Sequence, residues 1–97
     1  MYIRFPKPTK ADLIRYILAS WDPCRKGEDA DYMFYNYEAE VLAQGVRKNS
    51  RVESVAGKVK EVIDEKLRRE GCGHTVDDEN AFRVAETILN AVKRDGE

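Results

Sequence analysis

The 97-residue sequence predicts an all-α fold, an irregular array or bundle of four helices with an extended N-terminal strap. Two observations carry this expectation. Apolar residues recur at three- and four-residue spacing in four separate stretches, as they do where one helical face is buried. Between the stretches stand Asp22-Pro23, Gly45 and Gly71-Cys72-Gly73, which break helices. With 42% hydrophobic and 36% charged residues, the composition is that of a globular domain with a charged exterior. Residues 1–97 read as a single domain, with residues 1–8 as its extended arm.

The arm is Tyr2-Ile3-Arg4-Phe5 followed by Pro6-Lys7-Pro8, where each Pro biases the residue before it away from helix. Thr9-Lys10-Ala11-Asp12 resembles a capping box with Asp in place of Glu, and Leu13, Ile14, Ile17, Leu18 and Trp21 follow at helical spacing. A first helix is therefore expected from about Lys10 to Ser20 or Trp21. Asp22-Pro23 stops it, with the Asp22 carboxylate serving backbone donors at the turn.

Arg25 to Asp31 reads as a polar loop. A second helix is expected to start between Asp31 and Met33, to bury Phe34, Tyr37, Val41 and Leu42, and to end near Gly45. Ser50-Arg51-Val52-Glu53 has the spacing of a capping box for a third helix from about Arg51 to Glu70. Its stripe is Val52, Val55, Ala56, Val59, Val62, Ile63 and Leu67. A period of two would put Lys58, Lys60 and Asp64 on one strand face with Val62 and Ala56, so these valines belong to a helix. A fourth helix, from Asp77 or Asp78 to Lys93, carries Ala81, Phe82, Ala85, Ile88, Leu89 and Val92.

A net charge of -1 gives no global field toward nucleic acid or an anionic membrane, and no apolar run is long enough to span a bilayer. Cys24 and Cys72 lie far apart with no paired spacing, and no signal-peptide core is seen, so unpaired thiols in the cytoplasm are expected. Cys72-Gly73-His74 brings two soft ligand types together where a structural zinc needs four. No metal and no cofactor is expected. As a nucleophile pair, Cys72 and His74 lack identifiable oxyanion donors, so a Cys/His enzyme is the third reading and the chain is expected to be non-catalytic.

Two surfaces carry the other readings. Arg47, Lys48, Arg51, Lys58 and Arg69 form a candidate basic patch for a nucleic-acid accessory protein, although Glu65 sits among them and a solvated charged face is the plainer account. Tyr32, Met33 and Tyr35 point away from the expected stripe of the second helix, and acidic residues surround them. They are the candidate contact patch for a protein partner or a second copy, since Tyr supplies area with a polar handle. Gly57, inside the strongest helix, faces away from the valine stripe, where it is either tolerated or approached by another backbone.

The succession "WDP", "YNYEAEV", "SRVESVAGKVKEVI" and "ENAFRVAETIL" is similar to that of small bacterial proteins of the YugE-like group, over about Leu13 to Val92. The marked positions are Asp22-Pro23 and the Tyr37-Glu38 region. The resemblance implies an irregular all-helical array in a bacterial protein of unknown function, and it brings no catalytic residues. The richer tyrosine cluster and the Cys-Gly-His connection depart from the group's pattern. Together these readings lead to a small protein-binding or regulatory domain, with the nucleic-acid accessory protein as the alternative.

Overall fold

A computed structural model of the chain describes residues 8–25, 27 and 33–95. The strap expected at Tyr2 to Phe5 lies outside them. Among the described residues there are four helices and no strand: α1 (Lys10–Trp21), α2 (Asn36–Gly45), α3 (Val52–Arg69) and α4 (Asp78–Asp95). Each helix packs on two neighbours, in the ring α1, α2, α3, α4 and back to α1, and the backbones of the diagonal pairs stay farther apart. The start of α1 meets the end of α2 through Lys10 and Val46, and the start of α2 meets the end of α3 through Glu38 and Arg69, so successive helices run antiparallel, up and down. The α1–α2 and α3–α4 connections therefore share one end of the molecule, and the α2–α3 connection meets the start of α1 at the other.

Local sequence explains most helix ends. Thr9 caps α1 in a full capping box: its hydroxyl accepts from the Asp12 backbone N–H at 3.1 Å, and the Asp12 carboxylate accepts from the Thr9 N–H at 3.0 Å. These bonds hold the Asp12 carboxyl below its ordinary range, the Thr9 backbone bond contributing most. α1 ends at Asp22 in the left-handed region, with the Asp22 N–H donating to Leu18 O. α3 ends in a Schellman motif: the Gly71 N–H donates to Arg68 O and the Cys72 N–H to Leu67 O. Gly71 has φ +68°, a conformation that a side chain would strain.

Two starts differ from expectation. α3 begins at Val52 with Arg51 as its N-cap and no side-chain cap, because the Ser50 hydroxyl accepts from the Arg47 N–H and is spent on the preceding turn. α2 begins at Asn36, after a turn in which the Asn36 N–H donates to Met33 O.

The core is fed by all four helices. Ile14 and Leu18 of α1, Ala39 and Leu42 of α2, Val55, Val59, Ile63 and Leu67 of α3, and Ala81, Val84, Ala85, Ile88, Leu89 and Val92 of α4 are buried together. Val52, Ala56 and Val62 pack at its edge. Phe82, expected on the α4 stripe, is instead exposed, because Ala81 and Val84 take the inward positions on either side of it. Gly57 faces open space.

Truncating Ile63 to Ala is expected to cost roughly 2–5 kcal/mol in denaturant unfolding, since a fully buried side chain leaves a cavity. Glu61→Ala, on the exposed side of the same helix, is expected to stay within about 0.5 kcal/mol.

Candidate functional site

The rotation of α2 decides where the aromatic residues go. Its buried positions are Tyr35, Glu38, Ala39 and Leu42, one residue out of phase with the stripe expected from Phe34 and Tyr37. Glu38, 1% exposed, is the charged member of this buried face. Its Oε2 accepts from Arg69 Nη2 at 2.8 Å, and Lys66 Nζ lies 4.0 Å from Oε1. Both cations come from the last turn of α3. A buried carboxylate without such partners would be expelled to water or protonated.

This corrects the predicted contact patch. Tyr35 is 1% exposed and belongs to the core, whereas Tyr37, assigned to the core, is 63% exposed. Met33 is 49% exposed, and Tyr32 lies outside the described residues. Phe34 is half-buried, edge-on to Tyr35 with ring centroids 4.9 Å apart, and Lys66 Nζ sits 4.0 Å from its centroid. The Arg69 guanidinium stands 5.7 Å from the Tyr37 ring. Tyr37, Val41, Glu61, Val62, Glu65 and Arg69 line a shallow groove of about 180 Å³ between α2 and α3.

Tyr35 also ties the two ends of the α1–α2 connection together. Its hydroxyl donates to Asp22 Oδ1 at 3.0 Å and accepts the Cys24 N–H at 2.9 Å, while Asp22 Oδ2 accepts the Gly27 N–H at 2.8 Å. Asp22 thus serves a backbone donor at the turn, as its sequence position suggested. Burial pushes the Tyr35 hydroxyl well above the usual phenol range; the Cys24 N–H opposes that shift and the Asp22 carboxylate adds to it.

Cys24 and Cys72 are joined in a disulfide, with Cα atoms 5.8 Å apart, which corrects the expectation of unpaired thiols. No sequence spacing pairs them, because they meet only when the two hairpin connections fold to one end. The thiolate that a Cys72/His74 nucleophile pair needs is therefore not available in this state. The His74 ring faces backbone instead: Nε2 lies 2.7 Å from Pro23 O and Nδ1 3.0 Å from Cys72 O. A neutral ring donates to one of these carbonyls at a time. Beside it, Trp21, Asp22, Arg25, His74 and Asp77 line a cleft of about 180 Å³. Among the described residues no three metal-ligating side chains gather.

The basic patch divides. Arg47, Lys48 and Arg51 lie in the α2–α3 connection, and Lys58 of α3 runs alongside Gly45 at the end of α2. Arg69 lies at the far end of α3, bound to Glu38. The last turn of α2 has no cation of its own, and neighbours supply its negative end: Lys10 Nζ donates to Val46 O at 2.6 Å and Arg47 Nη1 to Gln44 O at 3.1 Å. Lys48, Arg51 and Lys58 form no ion pair among the described residues.

No described helix is long and apolar enough to cross a membrane. Comparison with protein-family models, curated proteins and solved structures finds no match, so the likeness to the YugE-like group rests on the residues quoted for it alone.

Arg69→Ala is expected to cost about 3 kcal/mol, because Glu38 would stay buried with one distant cation. Lys48→Ala is expected to leave the melting point unchanged. Tyr35→Phe is expected to cost about 1–3 kcal/mol by orphaning the Cys24 N–H and an Asp22 oxygen. It is also expected to change the alkaline limb. Above the ordinary phenol value of 10.0 the unfolded chain releases the Tyr35 proton while the folded one keeps it. The stabilising contribution is thus complete below that value and lost as pH rises toward the folded one. Unfolding titrations of wild type and Tyr35→Phe between neutral and strongly alkaline pH check this: the variant should fall less steeply.

Proposed function

We propose that this protein is a cytoplasmic, non-catalytic contact domain whose binding face is the outer side of α2 and α3, and that the face takes a second copy of the chain. The observation that carries the reading is an exposed ring, Tyr37, lining the groove with Val41 and Val62, with the exposed Met33 in the turn just before α2. Exposed Tyr beside an Arg is the chemistry enriched at protein interfaces.

Charge placement favours self-contact in one register. Glu65 and Arg69 stand four residues apart on the same rim of the groove. An antiparallel contact of α3 with its copy, with the two-fold axis level with Leu67, opposes Glu65 of each protomer to Arg69 of the other. A register centred on residues 61–65 would set acid against acid. The YugE-like resemblance fits the same reading, since it implies a fold with no catalytic residues.

The gathering of Lys48, Arg51 and Lys58 at the opposite end favours a second reading, contact with a polyanion such as single-stranded nucleic acid. Binding of a short oligonucleotide that weakens with salt and disappears on reversing the charges of Lys48 and Arg51 would carry it.

Sedimentation equilibrium from low micromolar to about 1 mM protein tests the first reading. The expected result is a salt-sensitive dimer whose Kd rises about tenfold in Tyr37→Ala, with helical content unchanged. Glu65→Arg is expected to weaken it as well. A monomer throughout that range would remove the reading.

A further inference from the structure

We propose that the Cys24–Cys72 disulfide is a redox-operated clamp: a dithiol reductant opens it, frees the junction of the two hairpin connections and the first turn of α2, and leaves the four-helix core folded.

Both sulfurs sit outside the helices. Cys24 lies in the turn closed by the Arg25 N–H to Asp22 O bond, and Cys72 in the Schellman turn after α3. Asp22 and Arg25 near one cysteine, and Gly71 and Gly73 beside the other, have positive φ. The bridge lies at the margin of the apolar core, where Cys24 is a buried member of the cluster and Cys72 packs against it, while the centre of the core is made by side chains of the four helices. The chain between them, a separation of 48 residues, holds α2 and α3, which pack through their own side chains.

Access is one-sided. Cys24 is 7% exposed, whereas Cys72 is half-buried, and the glycines on either side of it line an open cleft of about 510 Å³. One thiolate of the dithiol attacks Cys72 Sγ, the S–S bond breaks, and its electron pair leaves on Cys24 Sγ, which takes up a proton. The second thiolate then attacks the mixed disulfide, frees Cys72, and closes the reductant to its own disulfide. Two electrons and two protons end on the cysteine pair.

The consequence travels through Tyr35. The Cys24 N–H donates to the Tyr35 hydroxyl, and Tyr35 is the N-cap of α2. Loss of the covalent tie leaves this bond and the His74 contacts with Pro23 O and Cys72 O to hold the junction. Met33 and Tyr37 flank the same cap, so opening the clamp loosens the contact face. That regulatory half rests on the self-contact reading. In a reducing cytoplasm the clamp stands open and closes on oxidation.

The test uses the full chain, oxidised and after dithiothreitol, beside a Cys24→Ser, Cys72→Ser double variant. Far-UV circular dichroism is expected to retain the helical signal in all three. Hydrogen exchange at the Cys24 and Gly27 amides is expected to accelerate about tenfold or more relative to Val59 and Ile63 in the reduced protein and the double variant. Loss of the helical signal, or unchanged exchange at Cys24 and Gly27, overturns the clamp. Sedimentation of both redox states decides the regulatory half: a dimer Kd about tenfold higher after reduction supports it, and an equal Kd overturns it. A monomer in both states removes the contact reading, while the amide rates still decide the clamp.

Discussion

Burial of the Glu38 carboxylate is the constraint on which the rest of this structure depends. A charge at 1% exposure is tolerable only where cations meet it, and Arg69 and Lys66 do so from a single turn of α3. That meeting fixes the rotation of α2 about its own axis. With Glu38 inward, Ala39 and Leu42 face the core, Tyr35 drops beneath the helix start, and Tyr37 is turned to solvent. Replacing such an ion pair by apolar side chains often stabilises a protein, so its value here is one of phase rather than of net energy. It selects one rotation of a short helix whose apolar residues alone permit two.

The junction end follows from that rotation. Once Tyr35 points inward, its hydroxyl reaches the Asp22 carboxylate and the Cys24 amide, so the end of α1 and the start of α2 share one buried polar centre. The α3–α4 connection joins the same centre through the disulfide and the His74 ring. Farther along that connection, the Val76 N–H donates to Asp64 Oδ1 at 2.7 Å, and Lys60 donates to Val76 O, which lays the segment back against α3. Two helical hairpins are thus locked at the end where both of their connections lie.

The opposite end is organised by a different field. α2 stops with its last carbonyls bare of cations from its own turn, and Lys10 and Arg47 move in from neighbouring segments. The basic corner is in part an answer to that dipole, which gives Arg47 a structural duty and leaves Lys48, Arg51 and Lys58 turned outward. The groove between α2 and α3 lies nearer the junction end, where Tyr37 and Arg69 line it.

The sequence by itself determined the elements. The four apolar periods, the Thr9 box, Asp22-Pro23 and Gly71 place α1, α3 and α4 close to where they are, because these signals act between residues a few positions apart. The charge that could be neutralised inside, the hydroxyl that would find a carboxylate and the cysteines that would meet were decided only by tertiary structure. Glu38 looks like a surface residue until Arg69, 31 positions away, is brought to 2.8 Å. Tyr35 and Tyr37 are chemically the same side chain, and only the phase set by that ion pair separates core from surface. The Arg47 to Lys58 corner was legible because its members are neighbours in sequence, while Arg69 left it for a partner on another helix. Periodicity records how a helix can face a core, and long-range pairing of polar groups chooses among the rotations that periodicity leaves open.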